Sequence, residues 1–185
     1  MPKEVIAELE RKMTATLEDL KHDLSGLRTG RATPALLERI TVDYYGAQTP
    51  LQTLAMISVA DARQLLVKPH DKSVAGQIAN TSAKSDLGVQ ATRDGDSIRV
   101  SVPSMNEERR KEMVKLAGKK TEDHKIALRN VRRDANEQIK RMEKDGGLTK
   151  DDIKREEDVV QKITDKVIAD ADAARVAKEA EIMEV

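Results

Sequence analysis

Residues 106–144 read NEERRKEMVKLAGKKTEDHKIALRNVRRDANEQIKRMEK, a run with no proline and a single glycine, Gly118. Met113, Ala117, Leu128, Val131, Ala135, Ile139 and Met142 share one face of a continuous helix, within an arc of about 80° at 100° per residue. Such a helix reaches roughly 55 Å at 1.5 Å per residue. A helix this long and this polar is marginal alone, so the fold must supply helical partners.

Two other stretches can do so. Residues 3–27 carry Val5, Leu9, Met13, Leu17, Leu20, Leu24 and Leu27 at spacings of three and four. This narrow apolar seam is weakened and ended by Gly26, Gly30 and Pro34. After the break at Gly146-Gly147, Thr149 is placed to cap a helix over 149–184, with Asp151 and Asp152 where the helix dipole favours anions. Its seam is Ile153, Val160, Ile163, Val167, Ala171 and Ala174. Packing the three seams together predicts a long three-helix bundle from residues 1–30 and 104–185.

Between them the texture changes, and residues 31–103 hold four of the five prolines. Residues 40–44 (ITVDY) alternate apolar with polar, as do Ile98, Val100 and Val102, and residues 64–68 form a short apolar strand candidate. Arg93-Asp94-Gly95-Asp96 marks a turn between strands at 89–92 and 97–102. Asp71 or Ser73 is placed to cap a short helix running to about Thr81. The prediction is an α+β two-domain protein, a small β-rich domain inserted between the first two long helices. Two crossings, near Gly30-Arg31 and Pro103-Ser104, would form a hinge in an elongated, two-armed molecule.

Charge is unevenly spread. The chain is neutral, with 33 basic and 33 acidic residues, yet residues 104–145 carry 13 Lys/Arg against 9 Asp/Glu and residues 146–185 carry 7 against 11. On a helical projection from Arg110, the side chains of Arg132, Lys125, Lys111, Arg129, Lys140, Arg133 and Lys115 fall within about 140° beside the apolar seam. Ion pairing with the acidic third helix would explain such a stripe, and so would solvation. The cluster Arg129, Arg132 and Arg133 favours a polyanion, because the guanidinium fork suits phosphate oxygens and lysine would serve solubility equally well. Tyr44 and Tyr45 are the only aromatics, so stacking platforms for single strands are missing and double-helical RNA fits better.

Catalysis has little support. There is no cysteine, and His22, His70 and His124 are dispersed with no metal-ligand spacing around them. Gly118-Lys119-Lys120-Thr121 lacks the earlier glycine of a phosphate loop and lies inside the predicted helix. No catalytic residue, metal or cofactor is expected. The acidic first turns are unlike a signal peptide, and no stretch approaches the roughly 20 apolar residues of a membrane span. A cytoplasmic monomer that binds no membrane is the expectation.

The motifs Leu27-Arg-Thr-Gly-Arg-Ala-Thr-Pro34, Tyr44-Tyr-Gly46, Thr49-Pro-Leu51, Ser85-Asp-Leu-Gly88, Ile98-Arg-Val100, Glu107-Glu-Arg-Arg-Lys111 and Arg129-Asn-Val-Arg-Arg-Asp-Ala-Asn136 occur in that order. Together they span nearly the whole chain, which resembles the bacterial ribosome recycling factor family. The resemblance implies a three-helix bundle interrupted by a small β/α/β domain, L-shaped with a tRNA-like outline. It also implies binding to the post-termination ribosome against large-subunit ribosomal RNA. Splitting of that ribosome, with release from messenger RNA, would then need the GTPase elongation factor G. By position, Arg110, Arg129 and Arg132 match the family's RNA-contacting arginines. Arg28 lies in the motif near the hinge, with Arg133 and Lys111 beside the matched set. Gly30, Arg31, Pro103 and Ser104 match the hinge strands. Ser104-Met105-Asn106 departs from the Leu-Thr pair common before Glu-Glu-Arg-Arg-Lys, though Asn106 can still cap the helix. The rival reading is a coiled-coil adaptor that holds protein partners through the same helices.

Overall fold

The computed structural model describes residues 1–85 and 87–184. Asp86, within the Ser85–Gly88 motif, lies outside the described residues. Among the described residues are five α-helices, α1 (Pro2–Ser25), α2 (Leu51–Leu54), α3 (Ala75–Ala83), α4 (Glu107–Lys144) and α5 (Lys150–Met183), two 3-10 turns and six strands. The chain divides into two compact units, Met1–Leu24 with Lys115–Ala180, and Ser25–Val114 with Glu181–Val185.

The first unit is helical. Val5, Leu9 and Met13 of α1, Leu128, Ala135 and Ile139 of α4, and Ile153 and Val160 of α5 form one core. The buried positions of α4 include Ala117, Thr121, Leu128, Ala135 and Ile139, spaced by four or seven. This is the narrow seam of a coiled-coil-like contact, which leaves most of each helix free to carry charge. Thr121 and Thr164 are fully buried although polar. Each satisfies itself, Thr121 Oγ1 donating to the Ala117 carbonyl at 2.9 Å and Thr164 Oγ1 to the Val160 carbonyl at 2.7 Å. Only their methyl groups then need apolar neighbours.

Helix α1 ends at Ser25, two residues before the predicted end. Gly26 follows, and glycine in a helix costs about 1 kcal/mol relative to alanine. Leu27, expected in the bundle seam, is buried outside the helix and belongs to the second unit. Helix α5 begins where Thr149 caps it. Asp152 N donates to Thr149 Oγ1 at 3.2 Å, and Thr149 N donates back to the Asp152 carboxylate at 3.0 Å, a reciprocal capping box.

The second unit is built on a four-stranded antiparallel sheet ordered β3 (Ala55–Asp61), β4 (Gln64–Pro69), β6 (Ser97–Ser101), β5 (Gln90–Asp94), with a separate hairpin of β1 (Thr41–Tyr44) and β2 (Ala47–Pro50). Leu65, Val67, Ile98 and Val100 are wholly buried in a core shared with Val42, Leu51 and Ile78 of α3. The predicted turn at 93–96 tightens to Gly95-Asp96, since Asp94 pairs with Ser97 and Gly95 adopts φ 61. Asp71 caps a 3-10 turn over Lys72–Val74 that leads into α3, accepting from Ser73 N at 2.9 Å. Strands β2 and β3 were not predicted. Met56, Ser58 and Val59 of β3 are exposed while Ala55 is buried and Ile57 packs against the core, so the buried face of this edge strand is too short to show a period.

Candidate nucleic-acid interface

The basic helix uses its charges in two ways. Lys125, with a side chain only 13% exposed, donates to both Asp172 carboxylate oxygens at 3.2 and 3.4 Å and lies 3.3 Å from Glu122. Lys140 pairs with Glu157 at 3.4 Å, Lys111 with Glu107 at 3.1 Å and Arg109 with Glu112 at 3.3 Å. For these residues the ion-pair reading of the stripe holds.

The arginines singled out from the sequence behave differently. Among the described residues, Arg110, Arg129, Arg132 and Arg133 make no ion pair. Arg132 reaches Gln161 Oε1 at 3.5 Å, and Arg133 donates to Asn130 Oδ1 at 2.7 Å. Both acceptors are neutral, so neither cancels the charge. Arg110, Arg129 and Arg132 are half-buried while Arg133 and Lys111 are exposed. Arg110 Nε is buried without a hydrogen-bond partner among the described residues. A half-buried guanidinium has little water to screen it and no carboxylate to neutralise it, so it favours an incoming anion. Arg129, Arg132 and Arg133 belong to the first unit, and Arg110 and Lys111, on the opening turns of α4, to the second.

Arg28 lies in the second unit, in the chain after α1. Its Nη2 donates to the Pro103 carbonyl at 3.2 Å, while Nε is buried without a hydrogen-bond partner among the described residues. Burial, then the nearby Arg109 charge, pushes its pKa below the ordinary arginine value. Of the expected hinge residues, Gly30 has φ 80, which favours glycine, and Arg31 pairs with Glu184 at 2.8 Å. The chain flanking both expected crossings is anchored on adjacent carbonyls of the β3–β4 turn: Ala32 N donates to Ala62 O at 2.9 Å and Val102 N to Arg63 O at 2.8 Å. Ser104 is exposed. No sequence signal marked residues 62 and 63 as this anchor, because the pairing is non-local and uses backbone only.

His124 is less isolated than its place in the sequence suggested. Its Nδ1 donates to the Lys120 carbonyl at 2.7 Å, because a carbonyl can only accept. That leaves Nε2 at 3.0 Å from Asp19 and 3.5 Å from Asp23. The three ligand-type atoms lie within 4.8 Å of one another, a grouping that sequence separation concealed. No helix among the described residues is long and apolar enough to cross a membrane.

The family model of ribosome recycling factor matches residues 20–183. The chain belongs to the ribosome recycling factor family. The ribosome-recycling factor of Halalkalibacterium halodurans is 51% identical over 185 residues, and that of Bacillus subtilis 45% identical over 185, each match covering 100% of both chains. A solution structure of the ribosome recycling factor shares 38% identity at a TM-score of 0.79, covering 100% of this chain and 98% of that one. Another match is to models for the T. thermophilus ribosome recycling factor and the E. coli elongation factor G bound to the E. coli post-termination complex. It shares 41% identity at a TM-score of 0.70 and covers 100% of both chains. Long helices with a small β domain are thus the ribosome recycling factor fold.

Proposed function

We propose that this chain is a ribosome recycling factor: it binds the post-termination ribosome and, with elongation factor G and GTP, splits it and releases it from messenger RNA. The observation that carries this reading is the match along its whole length to curated ribosome-recycling factors, 51% identical in one relative. The chain would hydrolyse nothing itself and need no cofactor, with energy coming from its partner's GTP cycle in the cytoplasm. It would act as a monomer.

Arg110, Arg129 and Arg132, with Arg28, Arg133 and Lys111 in support, are the proposed contacts to large-subunit ribosomal RNA. Their support is chemical, since the four helix arginines are charged, partly or wholly accessible, and without an ion pair among the described residues. The proposed lever divides the chain into 1–30 with 104–185 and 31–103, turning about Gly30, Arg31, Pro103 and Ser104. Positive φ at Gly30 supports a special backbone there.

The test is a splitting assay with purified post-termination ribosomes, elongation factor G and GTP, followed by light scattering. Loss of scattering that requires this chain is the expected result. Intact ribosomes under conditions where a B. subtilis ribosome-recycling factor splits them would refute the function. Salt titration of large-subunit binding tests the interface separately. Unchanged affinity and slope in Arg110→Gln, Arg129→Gln and Arg132→Gln would overturn the RNA-contact assignment alone.

A further inference from the structure

Gly88 stands in the segment between α3 and β5, far in sequence from Arg28, and the two meet in the second unit. Gly88 has φ +65, and a Cβ built there would lie 2.9 Å from Arg28 Nη1 and 3.9 Å from Cζ. The guanidinium therefore occupies the space a side chain would take. One nitrogen of the fork, Nη2, donates to the Pro103 carbonyl, and Nε is buried without a hydrogen-bond partner among the described residues. No carboxylate among the described residues pairs with Arg28. Another cation, Arg109, is close enough to act on it electrostatically. Among the described residues the guanidinium thus has one neutral acceptor and a like charge near it, and its remaining N–H groups can donate to an anion.

We propose that Gly88 is a positioning residue: its missing Cβ holds the Arg28 guanidinium where it meets an RNA phosphate. This rests on reading Arg28 as a ribosomal RNA contact. The displaced atom would be the far end of a flexible side chain, so a Cβ at position 88 moves the cation rather than backbone. Left-handed φ is a second demand on Gly88, and it can be separated from the first. Gly95, in the β5–β6 turn, has φ +61, yet a Cβ there would meet nothing within 4 Å. Gly95→Ala thus imposes similar backbone strain without touching Arg28.

The experiment measures binding to purified large ribosomal subunits across a potassium chloride series. The variants are Arg28→Ala, Gly88→Ala, Gly95→Ala and the Gly88→Ala/Arg28→Ala double. Each is checked for its native melting transition. Arg28→Ala is expected to weaken binding about tenfold and reduce the salt slope by about one. Gly88→Ala should lose a similar amount, and Gly95→Ala less than about twofold. In the Arg28→Ala background Gly88→Ala should add almost nothing, as two changes acting through one contact do. Gly88→Asn, whose side chain tolerates left-handed φ but still carries a Cβ, provides a second variant should the alanine fold poorly. An equal Gly88→Ala loss with or without Arg28, or one matched by Gly95→Ala, overturns the positioning role and leaves Arg28 as a contact. Unchanged binding by Arg28→Ala refutes the contact itself, and the positioning role with it.

Discussion

Arg132 and Lys125 are two turns apart on α4 and carry the same formal charge, yet they are used differently. Lys125 is tied to Asp172 and Glu122, whereas Arg132, among the described residues, hydrogen-bonds a neutral amide at the limit of hydrogen bonding and makes no ion pair. Arg132→Gln should therefore leave the urea midpoint nearly unchanged while weakening large-subunit binding and lowering its salt slope by about one. Lys125→Gln should do the reverse, lowering the midpoint and sparing the slope. Equal slopes for the two variants would show that the unpaired arginine has no special role. Sequence could identify both as members of one basic stripe. It could not say which cations were already neutralised, because their acidic partners come from another helix or from side-chain rotamers.

At the scale of elements, the caps and seams hold the long helices in place. Thr149→Ala removes the side-chain half of the α5 capping box, the Oγ1 that accepts from Asp152 N, and leaves the backbone N–H of residue 149 to donate to Asp152, so it should destabilise the chain by about 1 kcal/mol in denaturant unfolding. Hydrogen bonds from the Thr149 side chain and backbone hold the Asp152 carboxyl below the ordinary aspartate range. A depressed folded pKa gives stability that is present above the unfolded value and lost as pH falls through the folded one. The melting-temperature gap between the parent and Asp152→Asn should accordingly shrink from about pH 6 to about pH 3. A gap that widened on acidification would contradict this. In the seam, Leu128 is 1% exposed, and Leu128→Ala should cost about 2–5 kcal/mol through lost burial and a residual cavity. The seams were legible because leucine, isoleucine and valine recur at helical spacing. Thr121 and Thr164 were not, since a hydroxyl bonded to its own helix buries like a methyl group. The strand pairing of β3 was hidden for a related reason, its side chains being mostly outside the core.

For the molecule as a whole, the neutral total of 33 basic and 33 acidic residues predicts selective rather than indiscriminate anion binding. Affinity for large ribosomal subunits should fall steeply with salt, while unrelated duplex DNA of similar length should bind far more weakly at about 0.15 M salt. Comparable affinity for both would point to a general polyanion binder. A ribosome-dependent response that also requires elongation factor G and GTP would distinguish recycling from simple adhesion.

Sequence alone determined the helical and β-rich stretches, the position of the bundle seams and the motif order that marks the ribosome recycling factor family. These are local or periodic properties, set by side-chain spacing, capping residues and turn glycines. Tertiary structure decided which cations remain unpaired, which histidine meets two carboxylates and which glycine makes room for Arg28. Each depends on atoms brought together from distant parts of the chain, where burial and partner geometry outweigh residue type.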